Sequence, residues 1–125
     1  ICTSVALIAL MTTIFMASNG KKGMKHIGEV IYHKAHYLSS LISDLPGFTL
    51  PLEGTFFQEF VIQCPIDPKV INEKLLDYKI IGGLDISKSI HNGMLVCASE
   101  LNSIDEIHGF VAALKEITLN LIGEK

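Results

Sequence analysis

His33 and His36 stand three residues apart in a segment of helical periodicity, and His26 lies two turns before His33. On a helix such a pair can give two ligands to a metal ion. A zinc site needs a third or fourth ligand, however, and no second Cys or His pair is spaced to supply it, so surface histidines are the preferred reading and no metal is assigned. Cys97 could be a nucleophile, but it lies in an apolar run, where desolvation raises a thiol pKa, and no His or Asp is arranged to activate it. Glu59 and Glu100 fall in or beside predicted strands and could form a general acid–base pair. Spacing alone does not bring them together, so exposed or salt-bridged carboxylates are the default. Gly82-Gly83 lacks the spacing and following helix of a nucleotide-binding loop and reads as a turn or a close backbone approach. Residue chemistry alone assigns no catalytic group.

The element that must organise these residues is Thr55–Cys64. Its side chains alternate as in a half-buried strand: Phe56, Gln58, Phe60, Ile62 and Cys64 share one face, Phe57, Glu59, Val61 and Gln63 the other. A lone strand leaves its apolar face wet, so flanking helices must cover it. Lys21–Leu45 shows the clearest helical stripe, through Met24, Ile27, Ile31, Ala35, Leu38, Leu41 or Ile42, and Leu45, with Glu29 and His33 spaced as an i,i+4 pair. Pro46-Gly47 ends it, and the alternation of Phe48, Leu50 and Leu52 predicts a short edge strand, since Pro51 cannot donate to a ladder.

Further along, Asp67-Pro68 predicts a capped helix start, followed by Val70, Ile71, Leu75 and Tyr78 at helical spacing. Asp85–Gly93 reads as a polar loop and Met94–Ala98 as a strand buried on both faces. Ser103-Ile104-Asp105-Glu106 is a capping box before a last helix striped by Ile104, Ile107, Val111, Leu114, Ile117 and Leu121. The expected fold class is α+β: a small, mainly antiparallel sheet with helices on one face, preceded by an apolar helix. Residues 1–19 are expected to be a linker helix and 20–125 the domain.

That leading run, Val5–Ala17, is apolar on nearly every side. It is shorter than the roughly 20 residues needed to span a bilayer and has no basic region before it, so it is expected to be buried all round, against its own domain or another subunit. Asn19-Gly20 predicts its stop. The abrupt start at Ile1 inside such a helix favours a fragment. Over its 125 residues, 49% apolar and 18% charged, the chain fits one ordered domain. A net charge of −3 argues for no steering toward a partner, and the absence of Arg weighs against nucleic acid and removes the usual bidentate clamp for phosphate or carboxylate. The odd, widely spaced Cys2, Cys64 and Cys97 read as reduced, mostly buried thiols.

With these segments laid out, the chain resembles the C-terminal part of glycine dehydrogenase (decarboxylating) subunit 1, one half of the two-subunit bacterial P-protein of the glycine cleavage system. The matching pieces are Ile1-Cys2-Thr3 with Ala6-Leu7, His33-Lys34-Ala35-His36-Tyr37-Leu38, Phe56-Phe57-Gln58-Glu59-Phe60-Val61, Ile80-Ile81-Gly82-Gly83-Leu84 and Leu95-Val96-Cys97. Two stretches depart: Thr3-Ser4-Val5-Ala6-Leu7 stands where the family usually reads Thr-Asn-Gln-Ala-Leu, and Ala98-Ser99-Glu100 where Val-Thr-Glu is usual.

The resemblance implies the small C-terminal domain of a fold-type I pyridoxal-phosphate enzyme. Such an enzyme decarboxylates glycine and passes the aminomethyl group to the lipoyl arm of H-protein, with the cofactor ring as electron sink. It implies a cofactor held by a Lys of subunit 2 and none in this chain. The implied partners are subunit 2, lipoylated H-protein and the chain's own N-terminal large domain, with no nucleic acid or membrane, in the bacterial cytoplasm. By the same analogy Thr3, Ser4, Gly82, Gly83 and Asp85 lie toward the subunit cleft as candidate cofactor-side residues. Two rivals are a self-contained α+β regulatory or binding module without catalysis, and another fold-type I enzyme such as an aminotransferase. The missing Arg for a substrate carboxylate weighs against the latter.

Overall fold

The computed structural model describes residues 5–123. Helix α1 (Val5–Ser43) is two helical segments joined across Gly20, whose φ of 61° and ψ of −178° lie outside the helical region. A Cβ is disfavoured at that φ, so the glycine permits the break. The predicted stop is therefore a kink: the helix resumes at Lys21. Strand β1 (Glu59–Gln63) is followed by helix α2 (Pro68–Leu75), a 3-10 turn (Leu76–Tyr78), strands β2 (Leu84–Asp85) and β3 (Gly93–Cys97), and helix α3 (Ile104–Gly123).

The sheet runs β1-β3-β2 and both pairings are antiparallel. Phe60 faces Val96 and Ile62 faces Met94 across the β1–β3 ladder. All four are buried, so one face of the sheet meets the core. Ala35, Leu38 and Ile42 of α1, Ile71 and Leu75 of α2, and Ile107, Leu114 and Ile117 of α3 complete the same cluster. An α+β lobe with helices on one face of a small sheet follows from that period-2 and period-3.6 patterning.

Both sequence-predicted caps form. Asp67 Oδ1 accepts from the Lys69 amide at 2.9 Å with Pro68 at the first helical position. Ser103 Oγ accepts from the Glu106 amide at 3.1 Å while the Glu106 carboxylate accepts from the Ser103 amide at 2.7 Å. The second arrangement is the reciprocal capping box, which satisfies donors that a helix start otherwise leaves unpaired.

Several expectations need correction. The organising strand is shorter than its alternation suggests: it begins at Glu59, with residues 55–58 irregular. Phe48–Leu52 forms no strand, only an isolated bridge between Thr49 and Gln63. Pro51 has no N–H to extend it, and Leu52 is exposed. Asp85 belongs to β2 rather than to a loop. Strand β3 buries one face only: Met94 and Val96 are inside, Leu95 is half-buried and Cys97 exposed. Among the described residues this three-stranded sheet has no second helical layer on its far side, so a continuous apolar run there stays partly wet. Glu29 pairs with Lys25 at 3.4 Å instead of with His33.

Of the two covers expected for the leading helix, its own domain or another subunit, the first is not found among the described residues. Val5, Leu7, Ile8, Leu10, Met11, Ile14, Phe15 and Met16 are all exposed, Met11 at 58%. Nothing among the described residues covers this segment, so it is not buried within its own lobe.

Candidate functional site

A hollow of about 460 Å³ lies between the Tyr78–Gly83 segment, the end of β3 and the first turns of α3. Lys79, Gly82, Gly83, Cys97, Asn102 and Glu106 contribute its polar or small-residue walls, and Ile80, Val96 and Phe110 its apolar ones. A second hollow of about 290 Å³ on the other side of the glycines is walled by Lys69, Asn72, Glu73 and Asp85.

The α2 end builds the first hollow's rim. Lys79 has a φ of 60°, its amide donates to Leu76 O at 2.9 Å and the Ile80 amide to Leu75 O at 3.0 Å. Those two bonds form a Schellman closure with lysine in the left-handed position where glycine is usual. The chain then passes between α2 and β3. A Cβ on Gly82 would meet Asn72 Oδ1 and, at 2.7 Å, Leu75 Cδ1, while one on Gly83 would collide with the Leu95 carbonyl oxygen and approach Met94 Cγ to 2.6 Å. Asn72 Nδ2 donates to Gly83 O at 2.8 Å and clamps the segment down. The two glycines are there for close approach, one of the two readings that their sequence allowed.

Asp85 caps its own turn. Its carboxylate accepts from the Ser87 amide at 2.8 Å. The hydrogen bonds from Ser87 hold its pKa below the ordinary carboxylate value, with Lys69 and Lys88 adding to the effect. Thr3 and Ser4 lie outside the described residues. Gly82 and Gly83 line both hollows and Asp85 the smaller one only.

The other candidates disperse. Cys97 is exposed beside the larger hollow; desolvation first and Glu59 second push its thiol pKa up, which keeps it in the unreactive protonated form. Cys64 is buried, and its pKa is pushed up to about 12, mainly by burial and then by the charge of Asp85. Glu59 stands opposite Cys97 on the outer sheet face, and Glu100 sits in the loop after β3. Among the described residues no three of His, Cys, Asp and Glu gather as a metal site. His36 is not a free surface histidine: its ring stacks on Phe56 (centroids 4.1 Å apart, planes 5° apart) and Nε2 lies 3.0 Å from Phe56 O. Tyr37 Oη and His108 Nε2 are 2.8 Å apart, joining α1 to α3.

Sequence reasoning missed Lys34 and Asn72 altogether. Lys34 Nζ donates to the backbone carbonyls of Glu100 and Asn102, tying α1 to the turn before α3. Nothing in a single sequence marks a lysine as bound to carbonyls more than sixty residues away.

The family model described as glycine cleavage system P-protein matches residues 1–114. The chain belongs to the glycine cleavage system P-protein family. It is 44% identical over 121 residues to the probable glycine dehydrogenase (decarboxylating) subunit 1 of Thermomicrobium roseum, and 41% identical over 120 residues to that of Desulfitobacterium hafniense. Each match covers 94% of this chain and 27% of the relative. A crystal structure of glycine decarboxylase (P-protein) of the glycine cleavage system, in inhibitor-bound form, superposes with a TM-score of 0.86 at 28% identity, again over 94% of this chain and 27% of the other. The chain thus spans about a quarter of the length of the P-proteins that it matches.

The cofactor expected of this P-protein family finds no cradle in the larger hollow. A phosphate there would meet the single cation Lys79, itself exposed, with the Glu106 carboxylate in the same wall. The Glu106 carboxylate is kept ionised by its bonds from Ser103, which lower its pKa, and it would repel the phosphate. No helix of the described residues is long and apolar enough to cross a membrane.

Proposed function

We propose that this chain is the C-terminal lobe of a glycine dehydrogenase (decarboxylating) subunit 1, and that it serves the enzyme by packing rather than by chemistry. Residues 1–19 act as the linker helix into the lobe and 20–125 as the lobe itself. The activity is that of the two-subunit P-protein: decarboxylation of glycine and transfer of the aminomethyl group to the lipoyl arm of H-protein, in the bacterial cytoplasm. Pyridoxal phosphate is held by a Lys of subunit 2. Subunit 2, H-protein and the rest of subunit 1 are the partners. Catalytic residues are assigned to none of the positions in this chain.

One observation carries this reading: the match to subunit 1 relatives runs over 94% of the chain, while the larger hollow in that stretch offers a phosphate one exposed lysine and an opposing carboxylate. Buried elements here answer to shape, and Asp67, Ser103, Glu106, Asn72 Nδ2 and Lys34 serve caps and clamps.

The reading is tested by incubating the chain with glycine, pyridoxal phosphate and lipoylated H-protein. No carbon dioxide release is expected from the chain alone. The full-length subunit 1 that contains it, mixed with subunit 2, is expected to turn over. Release by the chain alone would refute the packing role, and an inactive full-length pair would refute the assignment of activity.

A further inference from the structure

The leading helix is the one element of the described chain without a neighbour. From Val5 to Ala17 it carries no charged residue. Its polar side chains are already satisfied by its own backbone. Thr12 Oγ1 donates to Ile8 O at 2.9 Å, Thr13 Oγ1 to Ala9 O at 2.8 Å, and Asn19 Nδ2 to Phe15 O at 2.8 Å. Burying a hydroxyl or amide is costly only when its hydrogen bond is lost, and here burial loses none. A helix of this length standing in water is marginal by itself, yet this one exposes nearly all its large apolar side chains by about half or more.

Its circumference is divided. At 3.6 residues per turn, Leu7, Ile8, Leu10, Met11, Ile14 and Phe15 fall within about half of the wheel, and Ala6, Ala9, Thr13 and Ala17 form a narrower strip on the other side, bordered by Val5, Thr12 and Met16. Bulky side chains on one side hold a neighbour at ordinary helix spacing, and small ones on the other let a backbone come close. A helix laid on a single surface needs only one apolar stripe and keeps polar residues opposite. This one has no polar side to turn outward.

The P-protein superposition bears on where the cover would come from. It takes in 94% of this chain, too much to leave out the leading helix, and only 27% of the longer chain. The greater part of this helix therefore holds the same pose in a protein with most of its mass elsewhere. We infer that the helix is sandwiched on both sides by the part of subunit 1 that lies outside these 125 residues, its bulky side and its alanine side each against a separate element. This rests on the reading of the chain as a lobe of subunit 1.

Single cysteines placed by Ala9→Cys and Met11→Cys probe the two sides, in a background carrying Cys2→Ser and Cys97→Ser, with buried Cys64 left in place. Each is labelled with a maleimide in the 125-residue chain and in full-length subunit 1. Both are expected to react freely in the short chain at every protein concentration. In the full-length subunit both are expected to slow by at least about tenfold, as for a site opened only by local unfolding.

Fast labelling of both in the full-length protein overturns the proposal. Slowing of only one overturns the two-sided cover. Slowing in the short chain that grows with concentration hands the face to a second copy and also overturns it. If a variant folds poorly, amide hydrogen exchange over residues 5–17 of the unsubstituted proteins measures the same protection. Glycine decarboxylation with subunit 2 is read separately. A protected helix in an inactive pair sinks the functional reading alone, and an unprotected helix in an active pair sinks this one alone.

Discussion

Lys34 Nζ, on α1, donates to the carbonyl of Glu100 at 2.7 Å and also to that of Asn102, so one ammonium closes the turn that leads into α3. The contact is part-buried. Lys34→Met keeps the apolar stem and deletes the charge. It is expected to destabilise the lobe by about 1–3 kcal/mol, the usual cost of leaving such acceptors unsatisfied. Urea unfolding followed by circular dichroism measures it, and an unchanged midpoint would show the clamp to be ornamental.

Gly83 touches the β3 backbone itself. A Cβ there would collide with the Leu95 carbonyl oxygen, which no side-chain rotation can relieve. Gly83→Ala is expected to cost about 1–3 kcal/mol or more through overpacking. Gly54→Ala is the contrast: it has open space around it but a φ of 124°, so its penalty is conformational alone. Thermal denaturation of both variants separates steric collision from backbone strain.

Lys79 holds a left-handed conformation at the end of the α2 turn, at a φ of 60°. Lys79→Gly removes the Cβ penalty while both Schellman bonds remain. The expected result is a gain of up to about 1 kcal/mol, since the glycine also loosens the unfolded chain and offsets part of the benefit. A loss of stability would mean that the lysine side chain contributes contacts which outweigh its strain.

Glu106 has its pKa lowered, chiefly by the Ser103 amide and then by the Ser103 hydroxyl. A carboxylate with a depressed folded-state pKa stabilises the fold above its ordinary value of 4.5, and that contribution is lost as pH falls through the folded value. Glu106→Gln keeps an acceptor for the capping box but does not titrate. Its stability is expected to vary less with pH than that of the parent in the range below about 4.5. Parallel acid titrations of Tm for the two proteins are the check; coincident slopes would remove Glu106 from the acid response.

Much of this lobe is legible in the order of its residues. Alternation through Phe60, Ile62 and Cys64 marks the buried face of β1, and all three are buried. Asp67-Pro68 and Ser103–Glu106 announce their helix starts because capping is a contact between residues two or three apart. Where the next element decides, local pattern is not enough. Phe48–Leu52 alternates as a strand does but finds one bridging partner. Met94–Ala98 has the composition of a fully covered strand, yet among the described residues only one side of the sheet has helices to cover it.

The candidate site divides along the same line. Gly82-Gly83 could be read as a turn or as a close approach, and only the positions of Asn72, Leu75 and Leu95 chose the second. By itself the sequence determined the caps, the periodic faces and the fold class, because those depend on neighbours within a few residues. Tertiary structure alone decided the Lys34 clamp and the stacking of His36 on Phe56. Each depends on which distant surfaces meet, and a pattern along one chain does not encode that distance.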